Sequence, residues 1–322
     1  MILSVSRRTD IPAFYSDWFF NRIREGFVYV RNPMNAHQVS RVAISPETVD
    51  CIVFWSKNPA PMLDRLDELK GYDYYFQYTV NNYGKEAEPN IPTLETRLKT
   101  FAELSERIGR ERVIWRYDPI LFSDIYTAEY HLKSFSHIAE RLRGYTEKCV
   151  FSLVDVYASK NRSSLMRLRE KKLSPKELDG FLKNMADTAK ENGLALASCA
   201  ENISAEKYGI VHNSCIDKAL IERITGSKLS VKSDGQRPNC QCVKCDDIGS
   251  YDTCSHGCVY CYANYRPKTV EEKSAHYDVN LPLLCDRIDE KNDIITDRPV
   301  RSYKQKGADD GSDGGADQLT LF

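Results

Sequence analysis

Short runs of apolar, β-branched and aromatic residues recur at positions 2–6, 51–55, 74–79, 112–116, 150–156 and 194–198. Several are apolar without alternation, the pattern of strands covered on both faces. Helical periodicity fills the intervals at 16–26, 93–109, 127–144 and from Ser174 onward. The last is the best marked, with Ser174 as N-cap, Pro175 at the first helical position and Glu177 completing a capping box. Leu178, Phe181, Leu182, Met185 and Ala189 then form one apolar face, which Gly193 ends. Strand and helix alternating in this way predict an α/β fold, a partial (βα)6 TIM-like barrel over residues 1–205. No internal repeat of fixed short period appears.

In such a barrel the site lies at the C-terminal strand ends, so the residues just after each run carry the candidate chemistry. They are Ser6 to Pro12, Ser56 to Pro59, then Gln77, Tyr78, Asn81 and Asn82, then Trp115 to Ile120, Asp155 with Tyr157, and Cys199, Glu201 and Asn202. Arg8, Asp10, Lys57, Tyr78, Arg116, Asp118 and Glu201 are the candidate catalytic side chains of this ring. Asp10 and Asp118, each beside a proline-containing turn, equally suit caps or turns with Arg8 and Arg116 as ion-pair partners.

Composition narrows the class. The chain has 322 residues, 42% hydrophobic and 28% charged, which is ordinary for a globular protein. No apolar run is long enough to span a membrane, and the apolar start is too short for a secretory signal, so a cytoplasmic protein is expected. In a reducing compartment its eleven cysteines are expected as thiols or metal ligands. The formal charge is −1, and because residues 307–322 hold four aspartates and no basic residue, the rest of the chain stands at +3. That excludes a polybasic coat and is compatible with a polyanionic substrate.

After the sixth run the composition turns cysteine-rich, and residues 206–306 read as a metal-binding segment. Cys254, Cys258 and Cys261 follow a three-then-two spacing that turns three soft thiolates toward one point. Three ligands leave a [4Fe–4S] cluster one open iron. Cys240, Cys242 and Cys245, with Cys199 or Cys215 as a fourth, form a second candidate set for zinc or an auxiliary cluster. Cys51, Cys149 and Cys285 stand alone. Paired short spacings are also typical of structural zinc, so that reading stays open for the first set too.

The run Cys254-Ser255-His256-Gly257-Cys258-Val259-Tyr260-Cys261 resembles the cysteine signature of radical S-adenosylmethionine (SAM) enzymes, and with Tyr262-Ala263-Asn264 it is most similar to their spore photoproduct lyase branch. Arg116-Tyr117-Asp118-Pro119 resembles an R-x-D-P segment of that branch. The resemblance implies a [4Fe–4S] cluster on Cys254, Cys258 and Cys261, SAM on the open iron and Tyr260 near its adenine; Arg8 and Asn58 are further candidates for holding SAM. The motif normally follows the first strand, whereas here it comes late, implying a permuted arrangement with the cysteine-rich segment folded back over the strand ends. Over nearly its whole length the chain also resembles a bacterial family, a domain of unknown function of the DUF1848 type.

The acidic stretch 307–317 reads as disordered. It ends in Gln318-Leu319-Thr320-Leu321-Phe322, which closely resembles the peptide that bacterial polymerases and repair proteins insert into the sliding clamp. Gln318, Leu319, Leu321 and Phe322 would make that contact. The expectation is thus a radical SAM-like enzyme, served by an electron donor, acting on nucleic acid in repair or modification and tethered to the clamp. The alternative is a zinc-stabilised, non-catalytic adaptor that binds the clamp.

Overall fold

The computed structural model describes residues 1–156, 161–203, 205–235 and 238–305. Its strands are β1 (Ile2–Val5), β2 (Phe27–Asn32), β3 (Asn35–Ala43), β4 (Cys51–Ser56), β5 (Tyr74–Thr79), β6 (Val113–Ile120), β7 (Lys148–Leu153), β8 (Ala195–Ser198), β9 (Val211–His212), β10 (Asp246–Asp247) and β11 (Ile294–Asp297). The α-helices are α1 (Ile11–Phe14), α2 (Ser16–Glu25), α3 (Leu94–Ile108), α4 (Ala128–Arg141), α5 (Arg162–Arg167), α6 (Pro175–Glu191), α7 (Lys218–Thr225) and α8 (Pro267–Ser274). Eight strands form one parallel sheet in the order β10-β1-β4-β5-β6-β7-β8-β9, and β11, β3 and β2 form a second, smaller sheet.

Local chemistry starts the helices as expected. Thr93, Thr127 and Ser174 each accept a backbone N–H of the first turn, the last within a full capping box, and Asp217 does the same for α7. Each cap supplies about 1 kcal/mol. One sheet face packs on α2, α3, α4 and α6 through Leu3, Phe54, Phe76, Trp115 and Phe151. The other face carries Ile2, Val53, Tyr75, Ile114 and Val150, covered by Ile216, Leu220, Ile221 and Val243. Burying side chains of this size stabilises the fold by roughly 1.5–3 kcal/mol each.

All six expected strands are present, and the sheet is not closed. It extends beyond them, because β9 continues it past β8 and β10 pairs with β1 on the opposite edge. The sheet therefore does not end at residue 205: part of the cysteine-rich segment is woven into it, and the rest packs on its second face. The β2–β3 hairpin with β11, and the two-residue strands β9 and β10, were not legible in the sequence; two residues carry no periodicity. No helix among the described residues is long and apolar enough to cross a membrane. Tyr157 and the peptide Gln318 to Phe322 lie outside the described residues.

Candidate functional site: a three-cysteine loop at the strand ends

β10 explains how a late loop reaches the same edge as the first strand. It runs parallel to β1, with Leu3 opposite Asp246 and Ser4 opposite Asp247, so the chain leaves both strands at their shared C-terminal edge. The turn after β1 and the segment leading to Cys254 are laced together there. Asp247 accepts hydrogen bonds from Ser4 Oγ, Ser6 Oγ and Arg7 N, Arg8 Nη1 donates to Gly249 O at 3.3 Å, and the Tyr262 hydroxyl donates to Arg7 O at 2.6 Å. Gly249 is required at this crossing, since a Cβ there would lie 2.0 Å from Ser6 Oγ.

The loop itself is fixed by two buried carboxylates. Asp10 caps α1 through Ala13 N, accepts Ser56 Oγ at 2.8 Å and Lys57 N at 2.7 Å, and pairs with His256 Nε2 at 2.7 Å. One side chain thus ties the ends of β1 and β4 to the cysteine loop, and it spends its acceptor capacity on position. Glu88 accepts Lys57 Nζ at 2.8 Å and the Tyr260 hydroxyl, with Arg97 Nη1 at 3.9 Å. Lys57 Nζ also donates to the Tyr260 hydroxyl at 2.9 Å. Burial works against both charges of this pair. Lys57 nevertheless stays above its ordinary pKa because of Glu88 and Cys258, and Glu88 falls below its own because of Lys57 and Arg97.

Burial, then the Asp10 and Cys261 charges, push the Cys254 thiol up to about 12. Cys258 is raised well above its ordinary range by burial, with Lys57 opposing and Glu88 and the other two cysteines adding to the rise. Thiols so placed ionise only when a cation compensates them, as a metal would. Among the described residues, seven buried side-chain polar atoms have no hydrogen-bond partner. Glu88 Oε2 and Arg97 Nη1 face each other as an ion pair at 3.9 Å, and three more, Thr9 Oγ1, His256 Nδ1 and Asn264 Oδ1, belong to the loop and the elements beneath it. Buried atoms of this kind call for a partner, so the donor set and its surroundings fit a polar, metal-bearing group. No three His, Cys, Asp or Glu side chains among the described residues are grouped to hold a single metal ion. Thiolates on one tetrahedral zinc would stand about 3.8 Å apart, given Zn–S bonds of about 2.3 Å. Those of a cubane bind different irons and need no such convergence.

The other candidates separate into two groups. Arg116 and Asp118 lie on the second sheet face, where Arg116 Nε donates to Asp118 at 2.9 Å and Nη1 reaches Gln77 Oε1 and Cys215 Sγ; Ser152 Oγ also donates to Asp118. Glu201 accepts Leu153 N at 2.9 Å. Tyr78 is a correction: it points to the helix layer, stacks on Phe101 and donates to Arg97 O, so its neighbour Gln77 is the inward residue. The side chain of Asn58 makes no hydrogen bond among the described residues, and only its backbone N–H is engaged, by Ser56 Oγ. Arg8 lies over the Tyr251 ring, 5.2 Å from its centroid.

The second cysteine set is also rearranged. Cys199 Sγ stands 3.1 Å from Cys215 Sγ, and Cys242 Sγ accepts Ile216 N at 3.3 Å beside them. Cys245 is held elsewhere, accepting Arg7 Nη2 at 3.2 Å. Cys51, Cys149 and Cys285 are buried thiols. Glu88 was absent from the sequence-based candidates, and Gln77 was named among the strand-end residues but not among the catalytic side chains. Glu88 sits between an alanine and a proline in a loop after β5, with no spacing to betray it.

A family profile described as a domain of unknown function (DUF1848) matches residues 2–263, and the chain belongs to that family. The match takes in the eight-stranded sheet and all three loop cysteines. No curated protein shows significant similarity.

Proposed function

We propose that this member of the DUF1848 family is a radical SAM-type enzyme whose [4Fe–4S] cluster is held by Cys254, Cys258 and Cys261, and that it acts on nucleic acid. The observation that carries the reading is the parallel pairing of β10 with β1. It delivers a late cysteine loop to the C-terminal strand edge at which α/β sites form. The sheet then reads as an open, permuted version of the partial barrel expected from the sequence.

When bound, the cluster with SAM supplies reductive cleavage to a 5′-deoxyadenosyl radical. The chain's own residues supply position and exclusion of water. Asp10 and His256 fix the loop to the ends of β1 and β4. Lys57 and Glu88 hold the Tyr260 ring by its hydroxyl. Arg8 offers a guanidinium beside the loop for an anionic group, and Arg116 with Asp118 offers a polar floor further along the sheet. The nucleic-acid substrate is supported by the terminal peptide's likeness to clamp-binding sequences, which would bring the enzyme to replicating DNA.

The test is anaerobic purification with iron and sulfide analysis, followed by incubation of reduced protein with SAM and chromatography for 5′-deoxyadenosine. Iron near four per chain, 5′-deoxyadenosine formation, and loss of both in Cys258→Ala support the proposal. A colourless protein with stoichiometric zinc and no SAM cleavage overturns it in favour of the adaptor.

A further inference from the structure

Two cavities open at an edge of the sheet away from the three loop cysteines. One of about 850 Å³ opens on the edge of the sheet near Met1, and a second of about 390 Å³ adjoins it; both are lined by Asp246 and Arg298. The two make one groove along edge strand β10. It starts at the N-terminal edge of β1 and ends at Arg7 and Arg8, beside the cysteine loop. Seven residues of extended chain separate its ends, roughly 20 Å.

The charge of the larger part is one-sided. Lys218, Lys232, Lys244, Arg298 and Arg301 line it, against the single carboxylate of Asp246. That carboxylate is taken by Arg298 at 2.8 Å, and Lys218 faces Glu222 at 3.8 Å. Lys232, Lys244 and Arg301 form no ion pair among the described residues, and all three side chains are exposed. The backbone sets two of them side by side, because Lys244 N donates to Lys232 O at 2.9 Å within the pairing that joins Ser233 to Val243. Like charges on neighbouring strands are destabilising unless an anion lies between them. Tyr303 lines the same wall. A cationic track interrupted by an aromatic is the pattern that binds single-stranded nucleic acid without regard to sequence.

We propose that this groove takes the sugar-phosphate backbone of single-stranded nucleic acid and leads one nucleotide toward the cysteine loop. The inference rests on the nucleic-acid part of the proposed function and is independent of its radical chemistry. Phosphates lie along Lys218, Lys232, Lys244 and Arg301; at the loop end Arg7 and Arg8 already face Asp247 at 3.9 and 3.8 Å, so the phosphate contacts fall in the larger part.

The experiment is fluorescence anisotropy of a labelled single-stranded DNA oligonucleotide with the full chain, without SAM, over a series of salt concentrations. The protein is compared with the triple variant Lys232→Glu, Lys244→Glu, Arg301→Glu and with a triple glutamine variant at the same positions. Circular dichroism confirms that each variant folds. The native chain is expected to bind with a steep salt dependence. The glutamine variant should bind at least tenfold more weakly, with a salt slope shallower by roughly 2, since each neutralised phosphate contributes about 0.7 for single strands. The glutamate variant should be weaker still. Inorganic polyphosphate and a nucleoside triphosphate are tested as competitors, to separate a strand from a free phosphate compound. Absence of binding, equal binding by all three proteins, or binding of the free phosphate compounds alone would each overturn the proposal. Because the readout is binding and not SAM cleavage, failure of the radical reading leaves the result intact.

Discussion

Replacing Glu88 with Gln tests whether the pocket under Tyr260 is held by charge. Glu88 is 1% exposed, with Lys57 Nζ at 2.8 Å and Arg97 Nη1 at 3.9 Å. At an effective dielectric constant of about 20, the Lys57–Glu88 attraction amounts to about 4–6 kcal/mol before desolvation is counted. Glu88→Gln removes the one anion between two buried cations, and breaking a buried pair from one side costs about 3–5 kcal/mol. Lys57→Met should cost less, about 1–3 kcal/mol, because Arg97 and the Tyr260 hydroxyl still serve the carboxylate. The double variant should lose clearly less than the sum, with a coupling of about 2 kcal/mol or more between residues in direct contact. Urea unfolding of the reduced, metal-free protein, followed by emission of the buried Trp18 and Trp115, measures all four corners of the cycle. A Glu88→Gln loss below about 1 kcal/mol with coupling below about 0.5 kcal/mol would refute the argument, since the charges would then be solvated.

Three further outcomes follow from single features. His131 is buried against Tyr117, and its Nε2 faces Leu121 O at 3.0 Å; burial lowers its pKa from 6.5 to about 4. The unfolded chain therefore binds a proton that the folded chain refuses, and this contribution to stability falls by about 1.4 kcal/mol per pH unit as pH drops from 6.5 toward 4. His131→Gln should flatten the stability profile in that window, and an unchanged slope would exclude the assignment. Gly257 has φ of +72°, and a Cβ there would lie 3.0 Å from Pro89 Cγ, whereas Gly144 at +86° has open space. Both alanine variants should lose about 1–2 kcal/mol to left-handed backbone, with the additional contact making Gly257→Ala the less stable; equal melting curves would show that the loop relaxes. Deleting Gln318 to Phe322 should abolish binding to an immobilised bacterial sliding clamp, and retained binding would reject the peptide's role.

The six main strands and the capping box of α6 were legible because each rests on local chemistry: apolar runs and a first helical turn. Asp10, Lys57 and Tyr260, singled out as residues just past a strand or inside a motif, are brought together at the cysteine loop. Tyr78 was misjudged for a physical reason as well. In a sheet buried on both sides both parities carry large side chains, here Tyr75 on one face and Phe76 with Tyr78 on the other, so the aromatic residues do not tell which parity faces the helices. Gln77, the one polar residue of the run, marks the second face, and a shift of one position exchanges the faces. Tertiary structure alone decided that β10 lies beside β1, because a two-residue strand at Asp246–Asp247 is defined by its partner and not by its own sequence. It also decided that Glu88 comes to rest between Lys57 and Arg97, and that Cys199 joins Cys215 while Cys245 turns to Arg7. The chain by itself wrote which groups can bind a metal or carry a charge; which of them meet was set by long-range strand pairing, whose energy resides in contacts between residues that sequence order keeps far apart.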